Sequence, residues 1–389
     1  MEKQQSKKPL IRFPEFKEAW EHKRLNELLS EAKKRNEDLK YGKDEVLSVS
    51  GELGIVNQIE HLGRSYAGVS VHQYHVVEVG DIVYTKSPLK ANPFGIIKLN
   101  KGKAGIVSTL YAVYKVNQQT AYGNFIDYYF SLDANTNRYL RPLVKKGAKN
   151  DMKINNAYVL HDRIFAPAIP EQKRIASFFS VLDKKIAELK QKKSLLEQYK
   201  KGVMQKLFSQ ELRFKDENGK EFPKWDKKKL GEIAFKNSSN IAANAIEDNF
   251  GDYVIYGASG VLKKVDFYRE EEEYISIVKD GAGVGRVFLC AAKSSVLGTL
   301  DIIKPIGGEL HYLFYFLQQT NFLKYVTGST IPHIYFSDYK TEKVLFPCIE
   351  EQTKIANFLF AIDEKINRTE NQIQQTQQYI KGLLQNMFI

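Results

Sequence analysis

The sequence predicts a mixed α+β chain built as two copies of one plan, each a mixed α/β module followed by a long helix. Three observations carry this. EQKRIASFFSVLDKKI at Glu171 returns as EQTKIANFLFAIDEKI at Glu351, and the match runs without a gap to Phe208 and Phe388, with 14 of 38 positions identical. Phe13 to Leu28 and Phe222 to Ile233 share a Trp, a Leu five residues on and then a Glu: Trp20, Leu25 and Glu27 against Trp225, Leu230 and Glu232. Between these anchors Gly51 and Gly54 are echoed by Gly257 and Gly260, and Ser108-Thr109-Leu110 by Gly298-Thr299-Leu300, the first copy carrying extra residues in two internal stretches. Self-similarity of this kind marks repeated structural units.

Taken in order, each copy opens with a module of alternating strand and helix patterns. Short runs rich in β-branched and aromatic residues read as strands: His75 to Tyr84, Gly105 to Val116, Tyr253 to Leu262 and Glu273 to Gly281. Leu25 to Arg35, Phe125 to Val144 and Leu310 to Val326 carry helical spacing. Asp280-Gly281-Ala282-Gly283-Val284-Gly285 leads into RVFLCAA, another strand pattern, so these glycines read as a tight turn. The expected divisions are 1–168 and 211–348 for the modules, 169–210 and 349–389 for the helices.

The helices show a sustained 3.5-residue period. In the first, Ile175, Phe179, Leu182, Ile186, Leu189, Leu196, Val203 and Leu207 hold the apolar register, with Lys193 and Lys200 filling the remaining steps. In the second, Ile355, Leu359, Ile362, Ile366, Ile373, Ile380, Leu383 and Met387 do so, with Thr369 and Thr376. This is a coiled-coil seam, and about 38 residues give roughly 57 Å of helix. Two packings are open: each seam against its own module, or the two seams against each other. The matched register favours the second, and an antiparallel pair would relate the copies by a pseudo-twofold axis with one module near each end.

A length of 389 residues with 43% hydrophobic and 27% charged content describes a globular chain of two or three domains. Neither a membrane-length apolar run nor a signal-peptide core is visible. Two cysteines cannot frame a disulfide-rich fold and fit a reducing cytoplasm. Residues 1–210 hold 36 Lys and Arg against 22 Asp and Glu, whereas 211–389 hold 22 against 24. The excess in the first half points to a polyanionic partner.

Catalytic patterns are weak. Asn92-Pro93-Phe94 resembles part of an amino-methyltransferase motif but lacks its second proline, and His72 and His75 have no partners at metal-ligand spacing, so they read as exposed strand-end histidines. Glu270 to Glu273 reads as a solvated acidic run. The nucleic-acid candidates are Lys86, Ser87, Lys90 and Asn92 on one loop and Lys145, Lys146, Lys149, Asn150 and Lys153 on another. In the second copy Ser329, Thr330, His333 and Tyr335 occupy the loop matching the latter, joined by Tyr256, Ser259, Lys279 and Arg286. Lys and Arg meet phosphates, while Ser, Thr and Asn suit base edges.

The paired elements resemble the specificity subunit of type I restriction-modification systems. The resemblance rests on Pro167 or Pro347, Glu171-Gln172 or Glu351-Gln352, Ile175-Ala176 or Ile355-Ala356, Asp183 or Asp363 and Lys185-Ile186 or Lys365-Ile366. The endings Tyr199, Lys201-Gly202, Gln205, Phe208 and Tyr379, Lys381-Gly382, Gln385, Phe388 extend it, as do the openings at Trp20 and Trp225. It implies two target-recognition domains, each reading half of a split double-stranded DNA site, with the helices setting the gap and docking two modification subunits. It also implies that catalysis lies elsewhere: S-adenosylmethionine on the modification subunits, ATP and Mg on restriction and translocation subunits, and no cofactor, metal or membrane contact for this chain. Two other classes stay open: a self-contained enzyme binding S-adenosylmethionine through Gly281 to Gly285, and a coiled-coil assembly protein that binds no DNA.

Overall fold

The computed structural model describes residues 8–146 and 152–389. They form two compact units, one of Met1–Leu189 with Gln372–Ile389 and one of Lys190–Asn371. The long helices span Ile169–Phe208 and Ile349–Met387, so each gives one part of its length to each unit. Pro170 lies in the first turn of the first helix, where its missing N–H costs no intrahelical bond.

Both units carry the same sheet. Leu29–Glu31, Tyr111–Val116, Ile82–Thr85 and Ile96–Leu99 lie side by side in that order, all antiparallel, and Ala234–Ser238, Leu300–Pro305, Tyr274–Val278 and Val287–Cys290 repeat the order. A two-stranded ribbon ties each module's opening to the strand before its long helix: Glu21–Arg24 with Arg163–Ala166, and Asp226–Lys229 with Lys343–Phe346. A hairpin follows in each, Leu47–Ser50 with Gly54–Asn57 and Tyr253–Gly257 with Gly260–Val265. Gly54 (φ 74°) and Gly260 (φ 102°) hold the left-handed conformation that starts the returning strand, which explains why that glycine recurs.

Three expected helices are shorter than their patterns. Leu25–Leu28 makes a single turn with Leu25 and Leu28 buried, and Leu29–Glu31 then pairs with Tyr114 to Val116 as a strand. The second copy does the same with Leu230–Ile233 and Ala234–Ser238. Sheet pairing overrides the helical propensity of LNELLSEAKKR. The run from Phe125 to Val144 breaks at Leu132 (ψ 116°) into Gly123–Ser131 and Asp133–Leu140, and Leu310–Gln319 is followed by a separate 3-10 turn, Phe322–Tyr325.

A buried carboxylate joins module to helix in each unit. Glu171 receives Arg12 Nε and Nη2, both at 2.7 Å, and Trp20 Nε1 at 3.2 Å. Glu351 receives Arg213 Nε at 3.1 Å, its Nη2 at 2.7 Å, and Trp225 Nε1 at 2.8 Å. The adjacent glutamine clamps two backbone groups: Gln172 donates to Pro167 O and accepts from Tyr122 N, both 2.8 Å, and Gln352 donates to Pro347 O at 2.8 Å and accepts from Glu309 N at 2.9 Å. Further along the helices, Asp183 accepts from the Tyr128 hydroxyl at 2.6 Å and Asp363 from that of Tyr315 at 2.7 Å.

The seam residues are all buried or half-buried. In the first unit Ile175 and Phe179 share a core with Ile380, Leu383, Leu384, Met387 and Phe388. In the second, Val203, Met204 and Leu207 share one with Ile355, Leu359 and Ile362. In each unit the start of one helix meets the end of the other, so the pair is antiparallel. Lys193 and Lys200, the polar steps of the first seam, pair with Glu370 at 2.8 Å and Asp363 at 2.6 Å. The same cores include Trp20, Phe125 and Tyr129, or Trp225, Tyr312 and Tyr315, so the seams pack on each other and on the modules at once.

His75 departs from its expected exposure. It opens the strand His75–Val77 and is 2% exposed, its Nε2 2.8 Å from Arg35 Nη1. Its Nδ1 finds no partner among the described residues. Burial, with Arg35 beside it, pushes the imidazole down to about 4. The strand alternation that would have turned His75 outward is lost because both faces of this short strand are covered. His72 is half-buried, against Gln73 at 3.0 Å.

Two outcomes follow. Glu351→Ala strands the Arg213 guanidinium and the Trp225 N–H, and is expected to lower stability by about 3–5 kcal/mol, read as a shift of the urea midpoint. His75 stays neutral in the folded chain down to about 4 but protonates near 6.5 when unfolded, so its stability contribution is complete above 6.5 and is lost as pH falls through this window. Urea midpoints at about pH 7 and about pH 5 should therefore differ less in His75→Asn than in the unaltered chain.

Candidate nucleic-acid interface

In the first unit the loop 86–95 caps the hairpin between Ile82–Thr85 and Ile96–Leu99. Lys86 leaves the end of the central strand half-buried, its Nζ 2.6 Å from Asn156 Oδ1, while Asn156 Nδ2 donates to Glu31 Oε1 at 2.9 Å and the Tyr114 hydroxyl holds Asn156 O at 2.9 Å. Burial lowers the Lys86 pKa, with Glu31 opposing. Ser87 and Lys90 are exposed. Asn92 is not presented to a ligand: it is 7% exposed, exchanges backbone hydrogen bonds with Leu89 at 3.0 and 3.1 Å, and donates to Asp133 at 2.6 Å. A short polar side chain there closes the tip of the hairpin.

The second basic segment forms a short hairpin, Lys145 opposite Lys153 and Lys146 opposite Met152, with the Lys145 side chain exposed. Lys149 and Asn150 lie outside the described residues. Asn156 stands three residues past this hairpin, and its bond ties that stretch to Lys86.

The second unit repeats the plan with different chemistry. Gly281, Gly283 and Gly285 (φ 83°, 95° and 85°) turn the chain between Tyr274–Val278 and Val287–Cys290, with a strand following and no helix N-terminus. Lys279 leaves its strand as Lys86 does, its Nζ 3.9 Å from Asp301 Oδ1 and 3.8 Å from Asp280 Oδ2. Burial raises the Asp301 pKa, with Lys236 and Lys279 opposing. Arg286 is exposed, lies over Gly283 and donates to Ala258 O at 3.3 Å, next to exposed Ser259. Tyr256 is half-buried, and its hydroxyl accepts from Ala291 N at 3.1 Å.

The segment 327–335 docks on this turn. Thr327 and His333 exchange backbone hydrogen bonds, both 2.9 Å, Gly281 N donates to Pro332 O at 2.8 Å, and Ile334 N to Lys279 O at 2.9 Å. Ser329, Thr330 and Tyr335 are exposed and His333 is half-buried. Ser259, Lys279, Arg286, Ser329, Thr330, His333 and Tyr335 thus come from three separate stretches to one turn. Such a surface offers cations for phosphates and hydroxyls for base edges. Sequence reasoning missed Glu31 and Asn156, which are 125 residues apart and share no motif.

Each unit also has a groove where the end of one long helix passes its module. The first, about 890 Å³, is lined by Asp127, Asp183, Lys381 and Leu384; the second, about 580 Å³, by Lys201, Met204, Gln318 and Asp363. Asp183 and Asp363, Lys381 and Lys201, and Leu384 and Met204 are repeat equivalents. Among the described residues no cluster of three or more His, Cys, Asp or Glu is placed to hold a metal, and no helix is long and apolar enough to cross a membrane.

Comparisons with known proteins bear on this architecture. A putative type I restriction enzyme MjaX specificity subunit of Methanocaldococcus jannaschii is 29% identical over 272 residues, 62% of this chain and 62% of that protein. The MjaVIII specificity subunit of the same organism is 28% identical over 196 residues, 46% of each. The matched stretches therefore span about half to under two thirds of these relatives. Among solved structures, a type I restriction-modification system S subunit from M. genitalium superposes with a TM-score of 0.64, covering 98% of this chain and 99% of that one at 16% identity. A chain from a study of complex assembly and conformational transition in the type I R-M system gives 0.53, covering 94% and 96% at 16% identity. At such identity these two likenesses speak for the fold alone. The family described as the Type I restriction modification DNA specificity domain matches twice, over residues 17–198 and 223–377, in register with the internal duplication, and the chain belongs to that family.

Proposed function

We propose that this chain is the sequence-reading subunit of a type I restriction-modification complex. One observation carries the reading most: two units of the same topology, each carrying a specificity-domain match, present unlike polar loops at equivalent positions. A duplicated scaffold with divergent loops suits a bipartite DNA target, one half-site per unit. In the first unit Lys86, Lys90, Lys145, Lys146, Lys149 and Lys153 are assigned to the phosphates, and Ser87 and Asn150 to polar contacts with the DNA. In the second, Lys279 and Arg286 anchor the backbone while hydroxyl-bearing residues face the bases.

The long helices, which pass from one unit into the other, set the spacing between half-sites. Half-sites one helical turn apart are separated by about 34 Å. Their outward faces and the two equivalent grooves receive two modification subunits. The two helices are unequal in charge, since Glu171 to Phe208 carries ten basic and four acidic residues and Glu351 to Phe388 four of each. Adenine methylation with S-adenosylmethionine, and ATP- and Mg-dependent translocation and cleavage, belong to the partner subunits in this reading. This chain positions DNA for them in the cytoplasm and performs no chemistry itself.

Two measurements test the reading. Co-expression with the neighbouring modification subunit, followed by genome-wide mapping of N6-methyladenine, is expected to return a bipartite motif with a fixed gap; methylation without such a motif, or none from a soluble bound complex, would overturn it. Replacing Lys145, Lys146 and Lys149 together with Ala is expected to weaken binding to all duplexes alike and to reduce the slope of log K against log salt by up to about 3. An unchanged slope would remove that loop from the phosphate contacts.

A further inference from the structure

The exposed tip of the second unit's docked segment, Gly328-Ser329-Thr330-Ile331-Pro332, holds no charged side chain, although its base is bonded to Lys279 and Gly281. Ile331 is 62% exposed, an apolar side chain left in solvent between polar neighbours. The loop is closed at its base by the Thr327–His333 hydrogen-bond pair and fastened below by Gly281 and Lys279. Gly328 has φ +88°, and a Cβ there would strike Ile331 O and come within 2.8 Å of His333 Nδ1. His333 Nδ1 lies 3.1 Å from Ile331 O, and its ring meets Tyr335 at 5.0 Å. These contacts hold the tip in one shape before any ligand arrives, which lowers the ordering cost of binding.

Resting on the DNA-reading role proposed above, we propose that this tip is the base-reading element of the second unit: Ser329, Thr330 and Ile331 determine specificity, and Ile331 packs against a thymine 5-methyl group in the major groove. The chemistry fits that assignment. Hydroxyl groups donate to or accept from base edges, an apolar side chain is what distinguishes the thymine methyl, and an uncharged tip forms no ion pair with a phosphate. Phosphate contact falls to Lys279 at the loop's foot and to Arg286 on the adjoining glycine turn. The equivalent hairpin of the first unit carries Lys145 opposite Lys153, the reverse allocation. His333 is a positioning residue: it acts on the bases only through the carbonyl of Ile331.

The test uses the complete complex with its modification subunits. Methylation mapping with the unaltered chain defines both half-sites; the same mapping follows for Ile331→Ala and for Ser329→Ala with Thr330→Ala. The expected result is relaxed base identity, about tenfold or more, at positions confined to one half-site, with the other half-site and the salt slope unchanged. Replacing thymine by deoxyuridine in that half-site should reproduce the loss with the unaltered chain and add nothing to Ile331→Ala. His333→Asn, which keeps an amide donor near Nδ1, should preserve the motif that His333→Ala blurs. Because Ile331 is exposed, its variant should melt as the unaltered chain does. An unchanged motif in the variants, uniform loss on every sequence, or indifference to deoxyuridine would overturn the assignment while leaving the bipartite motif of the unaltered chain intact. An unaltered complex that yields no motif would overturn the DNA-reading role and this assignment with it.

Discussion

Everything in each unit hangs on one carboxylate that water does not reach. Glu171 and Glu351 are 2% and 0% exposed, and an anion there is tolerable only because a two-pronged guanidinium and an indole N–H meet it. The three partners come from separate places: the arginine from the segment ahead of each module, the tryptophan from its opening, the glutamate from the first turns of the long helix. Their meeting fixes the module against the helix at a single register. The neighbouring glutamine then ties the strand exit and the entry to the module's helix to the same spot. This explains why Trp and Glu-Gln return in both copies while much between them has drifted.

The seam extends that constraint along the helices. Hydrophobic steps alone would pair two helices in either direction, but Lys193 with Glu370 and Lys200 with Asp363 are satisfied only in the antiparallel register observed. Lys200 also lies 4.9 Å over the ring of Tyr315, whose hydroxyl bonds the same Asp363, so the seam and the module share a partner. A scaffold so fully committed leaves variation to the hairpin tips, where the first copy carries lysines and the second hydroxyls.

Much of this was legible in the sequence because it is periodic or duplicated. The long helices followed from the 3.5-residue seam, and the duplicated module from the aligned anchors. What was not legible depends on contacts between distant residues. Leu25 to Arg35 reads as helix until Tyr114 and its neighbours pair with Leu29–Glu31. Asn92 resembles a ligand-facing amide until Asp133 is brought to it, and His75 an exposed histidine until Arg35 covers it. The polar link of Lys86, Asn156 and Glu31 has no local signature at all. Ile331 carries no signal in the sequence, because its place at the tip of a docked polar loop depends on the distant turn at Gly281.

The division of each long helix between the two units has a consequence for the order in which the chain is made. Ile380, Leu383, Met387 and Phe388 belong to the same core as Trp20, Phe125 and Phe179. Residues separated by most of the chain must therefore meet before that core closes. A ribosome emitting the first module releases it with its apolar face bare, and the second unit, Lys190–Asn371, holds all its own parts earlier than the first. Synthesis runs from the first unit to the second, while completion runs the other way, and the nascent first module must stay unaggregated until Gln372–Ile389 have been made.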